Sequence, residues 1–225
     1  MMRIPFTKMH GAGNDFIMLD ARDLPDGLVL DRPRIAAWCD RRMGVGAAGL
    51  IVVRGEGPDT VRMTYFNADG GEAEMCGNGA RCTVSFAHER GLVGDRCRLA
   101  TAAGLLEGAV HGPRDIEVSL PPYRDLVMDL ALEAAPAAVI HACNTGVPHL
   151  VIPVADIEAV DVARDGRALR EHPHFAPAGT NVNWVAPAPD GLRWLLRTYE
   201  RGVEAETLAC GTGASAAAVV LTRLG

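Results

Sequence analysis

Cys76-Gly77-Asn78-Gly79-Ala80 and Cys210-Gly211-Thr212-Gly213-Ala214 are two copies of one frame, each leading into an apolar stretch able to form a helix. Laid over one another without gaps, the copies agree further upstream, Thr64-Tyr65 falling on Thr198-Tyr199 and Glu72 on Glu206. A chain doubled in this way is expected to consist of two similar halves, each supplying one cysteine. If the halves face each other, two thiols flank one ligand, and a proton can leave on one side while another arrives on the opposite side.

Outward from these frames the pattern is short strands and polar turns with few helices. Residues 16–19, 50–53 and 61–66 are expected as strands, and residues 34–41 as a helix. Residues 78–90 form a stronger helix candidate, with Ala80, Val84 and Ala87 at three- and four-residue spacing and Gly91 as the stop. Strands resume over 98–100, 105–110 and 116–120. Pro121-Pro122-Tyr123-Arg124-Asp125 then breaks both kinds of regular structure, giving halves at 1–120, with Cys76, and 121–225, with Cys210. The second half repeats the theme in apolar runs at 139–142, 150–154, 182–186 and 192–198, followed by a helix from Gly213 to about Arg223. Strands alternating with so few crossover helices imply an α+β fold, mostly antiparallel, built twice.

Composition limits the function. A chain of 225 residues with 48% hydrophobic content buries one large core or two modest ones, and aromatics at 5% leave aliphatic side chains and alanine to fill them. The net charge of -6, with both signs mixed and no basic run interleaved with aromatics, argues against nucleic acid or a membrane surface and for a small-molecule substrate. Met1-Met2-Arg3-Ile4-Pro5 lacks the apolar core of a signal peptide and no window is long enough to span a bilayer, so a cytoplasmic location is expected. There the six cysteines should be thiols. Without Cys-x-x-Cys or His-x-x-x-His spacing, no metal site is expected.

The chemistry is placed at the Cys-Gly-x-Gly turns. Glycines on both sides of Asn78 and Thr212 allow a tight turn, and a helix starting there aims unpaired N–H groups at one point. Such a point holds an anion, either the cysteine thiolate or a ligand carboxylate. A helix start lowers a cysteine pKa from about 8.5 to roughly 3.5 to 7.5, enough to make a base. Two facing thiols then rest as one thiolate and one thiol, the state that a two-base proton exchange requires. Cys39, Cys82, Cys97 and Cys143 have no such frame and are expected to pack in the core.

Residues 67–82, Asn-Ala-Asp-Gly-Gly-Glu-Ala-Glu-Met-Cys-Gly-Asn-Gly-Ala-Arg-Cys, resemble the signature of the diaminopimelate epimerase family. Lys8-Met9-His10-Gly11-Ala12-Gly13-Asn14-Asp15-Phe16, Tyr199-Glu200-Arg201-Gly202 and Ala209-Cys210-Gly211-Thr212-Gly213-Ala214 agree with it in order and approximate spacing, so the likeness spans almost the whole chain. The resemblance implies two pseudo-symmetric domains, each a curled sheet around a central helix. It further implies a cofactor-independent epimerase that interconverts LL- and meso-diaminopimelate in lysine and cell-wall precursor synthesis, commonly as a homodimer.

On the same resemblance Cys76 and Cys210 are the acid/base thiols, and Asn14, Asn67 and Asn181 are substrate-binding carboxamides. Gly77, Asn78, Gly211 and Thr212 hold the reacting carboxylate, Glu200 and Arg201 are the family's Glu-Arg pair, and His149 tunes the thiols. Plainer alternatives are that Asn14 and Asn67 form turns, Glu200-Arg201 is a surface pair and His149 is a satisfied core histidine. The chain departs from the family at Ala48, where aspartate is usual, at Val147, where many members have a substrate-binding asparagine, and at Ser215, a frequent cysteine. It also ends at Gly225, where the family continues with further strands that return to the first domain.

Rival functions are a racemase for another amino acid such as histidine, and a non-catalytic amino-acid-binding relative. A cysteine hydrolase would leave the duplicated frame unexplained. Gly44-x-Gly46-x-x-Gly49 fits the dinucleotide fingerprint as a string but precedes an apolar strand instead of linking a strand to a helix, and is rejected.

Overall fold

Strands buried on both faces lie beside strands whose side chains alternate between buried and exposed in residues Met1–Pro121, the first of two compact units in this computed structural model; Pro122–Gly225 form the second. The structure describes residues 3–73, 75–132 and 139–225, so Glu74 of the signature stretch lies outside the described residues.

The first unit holds β1 (Thr7–Gly11), β2 (Asn14–Asp20), α1 (Arg32–Cys39), β3 (Gly49–Gly55), β4 (Thr60–Asn67), β5 (Glu72–Ala73), α2 (Gly77–Glu89), β6 (Arg96–Thr101), β7 (Gly104–Gly112) and β8 (Asp115–Val118). Its sheet runs β1-β2-β3-β4-β6-β7-β8 with β5 beside β4. Only β2–β3 and β4–β6 pair in parallel. Ile17, Leu19, Leu50 and Val52 point to one face and pack against Ile35 and Cys39 of α1. Intervening residues face α2, which touches β1 to β4 and β6 to β8, so the sheet curls around this helix.

Helix α1 starts earlier than the apolar pattern predicts because Asp31 caps it, accepting from the Arg34 amide, with Pro33 in the first turn. It stops at Cys39 because the Asp40 carboxylate takes the Arg42 and Met43 amides and turns the chain away.

The second unit holds β9 (Arg124–Val127), β10 (His141–Asn144), β11 (Pro148–Pro153), α3 (Val162–Arg170), β12 (Asn181–Pro187), β13 (Trp194–Glu200), β14 (Ala205–Thr207) and α4 (Gly211–Leu224). Its sheet order is β14-β13-β12-β11-β10-β9, antiparallel except for β11–β12. One face carries Cys143, Val151 and Val185 against Ala216, Ala217 and Val220 of α4. The opposite face carries Leu150, Ile152, Val182, Trp184 and Tyr199 against Val162 and Leu169 of α3.

Both units are therefore α+β with mostly antiparallel sheets, and each follows a strand and a short partner strand with a cysteine-capped helix, as β4–β5–α2 and β13–β14–α4. Helix α3 and strands β1 and β14 were not foreseen in the apolar pattern, and β9 begins inside the segment expected to be irregular. Arg124 can still pair there because the two prolines precede it.

Candidate functional site

Cys76 and Cys210 both occupy N-cap positions, with similar extended backbones at φ -143° and ψ 113°, and φ -125° and ψ 105°. The first i→i−4 bonds run from Ala80 to Cys76 and from Ala214 to Cys210, which leaves the amides of the Gly-x-Gly segments ahead of each helical ladder. Both cysteines are 8% exposed.

In the first unit the Cys76 sulfur accepts from the Gly79 amide at 3.4 Å and from the Asn14 carboxamide at 3.7 Å. Donors aimed at a sulfur favour negative charge on it. Asn14 opens β2, and the tight β1–β2 turn lies over the start of α2: a Cβ on Gly11 would stand 2.8 Å from the Asn78 carbonyl oxygen. A Cβ on Gly79 would stand 2.9 Å from Ile51 Cδ1, so glycine lets the helix start settle on the sheet. Asn78 is buried and its Oδ1 accepts from Arg81. Asn67 ends β4, where its backbone closes a turn with Gly70 and Gly71. The fold thus gathers Asn14, Cys76, Gly77 and Asn78 at one helix start, with Asn67 at the end of a strand of the same sheet.

Asp15 beside Asn14 is held by Lys8 at 2.9 Å and Arg41 at 2.7 Å, and its side chain and carbonyl both accept from the Ala48 amide. Burial alone would raise its pKa, but these donors hold the carboxyl well below the usual range. The backbone of Ala48 thus anchors the loop that precedes β3.

In the second unit Cys210 Sγ lies 3.5 Å from Thr212 Oγ1, and the Thr212 carbonyl accepts from Thr145 Oγ1 at 2.8 Å. Burial and the neighbouring Glu200 push the Cys210 thiol up to about 11. This corrects the expectation of a lowered pKa at this helix start. The Thr212 and Gly213 amides do pull toward the thiolate, but they close no capping bond on the sulfur, and desolvation plus a like charge outweigh them. Burial also raises Glu200, whose Oε2 has no hydrogen-bond partner among the described residues. Glu200 is half-buried, and among the described residues the Arg201 guanidinium donates to the Ala178 carbonyl at 3.2 Å instead of pairing with Glu200.

Asn181 donates to the Pro148 carbonyl at 2.9 Å and accepts from the Arg201 amide at 2.9 Å, tying the end of β13 to β11. One carboxamide hydrogen and one lone pair have no side-chain or backbone partner among the described residues. His149 is 1% exposed, and its Nε2 has no hydrogen-bond partner among the described residues, so it is not a satisfied core histidine. Burial, with the Arg201 charge, holds its pKa down to about 3. Val147 is buried two residues before it, and Ser215 donates to the Gly211 carbonyl.

Thr145 and Asn183 escape sequence reasoning, although Asn183 follows Asn181 at the two-residue spacing that puts both on one face of a strand. Among the described residues no cluster of three or more His, Cys, Asp or Glu side chains is arranged for a metal, and no helix is long and apolar enough to cross a membrane.

The sequence profile of the family described as "Diaminopimelate epimerase" matches residues 6–123 and 141–225. The diaminopimelate epimerase of Aquifex aeolicus (strain VF5) is 45% identical over 226 residues, spanning 96% of this chain and 80% of that one. That of Gemmatimonas aurantiaca is 45% identical over 224 residues, spanning 98% and 80%. Among solved structures, a probable proline racemase from Agrobacterium radiobacter K84 superposes with a TM-score of 0.73 at 17% identity, covering 99% of this chain and 78% of that one, a likeness of fold.

Proposed function

Since the chain belongs to the diaminopimelate epimerase family, an isomerase family, we propose that it interconverts LL- and meso-2,6-diaminopimelate through the thiols of Cys76 and Cys210 acting on opposite faces of one α-carbon. The observation that carries this reading is the repetition of one buried cysteine N-cap at the starts of α2 and α4.

One sulfur, as thiolate, takes the α-proton and becomes a thiol, while the other thiol delivers its proton to the opposite face and is left as thiolate. Product release leaves the two protonation states exchanged, ready for the reverse reaction. Cys210, pushed up to about 11, is the proton-bearing partner at rest. Cys76, with two N–H donors on its sulfur, then serves as the first base.

No pyridoxal-type electron sink takes part in this scheme, so charge growing on the carboxylate must be met by aimed donors. The Gly77, Asn78, Gly211 and Thr212 amides at the two helix starts are suited to that role. Asn14, Asn67 and Asn181 orient the zwitterion without adding charge. The Arg201 guanidinium suits the distal carboxylate, Glu200 adds its charge beside Cys210, and His149 takes the thiol-tuning role that the family resemblance gives it. We place this activity in lysine and peptidoglycan precursor synthesis in the cytoplasm, with the chain acting as a homodimer.

Incubation with LL- and meso-diaminopimelate in D₂O tests the reading. Deuterium should enter Cα as the isomers interconvert, without added cofactor. Exchange confined to another amino acid such as histidine would overturn the substrate assignment, and affinity without exchange would overturn the catalytic one.

A further inference from the structure

Asn183 of β12 is completely buried on the α4 face of its sheet, and its one carboxamide bonds to both neighbouring strands, β11 and β13. Its Nδ2 lies 2.7 Å from the Leu150 carbonyl and 3.1 Å from His149 Nδ1, while its Oδ1 lies 2.9 Å from Thr198 Oγ1. A backbone carbonyl only accepts, so the amide nitrogen must face Leu150; the flipped amide would set two acceptors against each other. The second hydrogen on that nitrogen then points at His149 Nδ1, which must offer a lone pair. A proton on Nδ1, in the other neutral tautomer or the imidazolium, would oppose two donors at 3.1 Å.

From this geometry we infer that Asn183 is a positioning residue which fixes His149 as the neutral Nε2–H tautomer, making it a hydrogen-bond donor to an acceptor oxygen of the ligand, of the carboxylate type, and not a base. The buried, unpartnered Nε2 is the atom left to make that bond. The groups flanking His149 agree with a neutral ring. Arg201 acts on it as a positive charge, Cys143 is its register partner on β10, and Asn181 is its partner on β12. The start of α4 seats directly on the same carboxamide, because a Cβ on Gly213 would collide with Asn183 Oδ1.

The role in turnover rests on the epimerase reading above, whereas the tautomer is a property of the ligand-free protein. Nitrogen-15 spectra of histidine-labelled protein at pH 7, assigned through the signal lost in His149→Gln, should show a lone-pair Nδ1 and a protonated Nε2. An Nδ1–H tautomer or an imidazolium in the unsubstituted protein would overturn the inference, whether or not any variant folds. Asn183→Leu keeps the volume and removes the Nδ2 donor, so His149 should lose its fixed tautomer, a signal of protonated Nδ1 should appear, and kcat should fall about tenfold, the effect of one lost hydrogen bond. A folded Asn183→Leu protein with an unchanged spectrum of His149 would also overturn it. Absence of diaminopimelate turnover alongside the expected spectrum would sink the epimerase reading and leave the tautomer assignment standing.

Discussion

The carboxamide nitrogen of Asn14 stands 3.7 Å from the sulfur of Cys76, joining the first residue of β2 to the cap of α2. A neutral donor there steadies a thiolate without holding it so tightly that it cannot take a proton. Asn14→Leu keeps the volume and removes the donor, so kcat should fall by about tenfold or more in coupled assays of LL-diaminopimelate turnover. Unchanged kcat would mean that Asn14 only shapes the turn.

Loss of either sulfur removes one of two proton-transfer groups. Such groups typically contribute about 10² to 10⁴ in rate, so Cys76→Ala and Cys210→Ala should each cost at least about 10² in epimerisation. Circular dichroism serves as the folding control. Near-normal turnover of the LL isomer by either variant would end the two-base scheme.

Burial raises both Glu200 and Cys210, and the Glu200 charge adds to the cost of ionising Cys210. Glu200→Gln removes the like charge, so the Cys210 pKa should come down from about 11, though burial still holds it above the ordinary thiol range. Alkylation of Cys210 by iodoacetamide at pH 8, followed by peptide mass spectrometry, should speed up on the order of tenfold. An unchanged rate would assign the whole shift to desolvation.

What the sequence disclosed and what it hid differ by range. Helix α2 was legible because Ala80, Val84 and Ala87 keep helical spacing and Gly91 follows with a positive φ of 64°. Helix α3 was not, because Arg164, Asp165, Arg167 and Arg170 dilute its apolar stripe to Val162 and Leu169, with Gly166 between them. The two cysteine caps were visible as repeated strings, whereas the surroundings that tune them are non-local. Asn183 meets His149 across 34 residues and Thr198 across 15, partnerships that exist only once β11, β12 and β13 are in register. The Cys210 pKa failed as an expectation for a related reason. A helix start is read from the string, but burial and the approach of Glu200 are products of the fold.

Asp20 is buried between Arg22 at 2.6 Å and Arg90 at 3.0 Å, and so fastens the end of β2 to the end of α2. Burial would raise its pKa, but the Arg22 side chain and amide and the Arg90 side chain hold it at about 2. A carboxyl lowered on folding stabilises the protein above its unfolded value near 3.9, and that contribution is lost as pH falls toward 2. Both arginines are part-exposed, which trims the expected effect. Asp20→Asn should therefore lose about 1–2 kcal/mol at pH 7, and the gap should close between about pH 4 and pH 2 in thermal melts. A gap that persists undiminished at pH 2 would mean that packing, not charge, is lost.

Gly166 stands in the middle of α3, where alanine normally stabilises a helix by about 1 kcal/mol. Here the sign should reverse. A Cβ at this position would lie 2.5 Å from Tyr199 Cβ and Cγ, and Tyr199 is 1% exposed in the core between α3 and the sheet. The ring cannot retreat without disturbing Trp184 and Leu169 in the same cluster. Gly166→Ala should therefore cost about 1–3 kcal/mol and lower Tm by several degrees. Gly166→Ala combined with Tyr199→Gly should cost less than the two single changes added together, because the clash with Tyr199 Cβ and Cγ vanishes only when the whole side chain is removed. A rise in Tm for Gly166→Ala alone would show that α3 does not pack on Tyr199 as described.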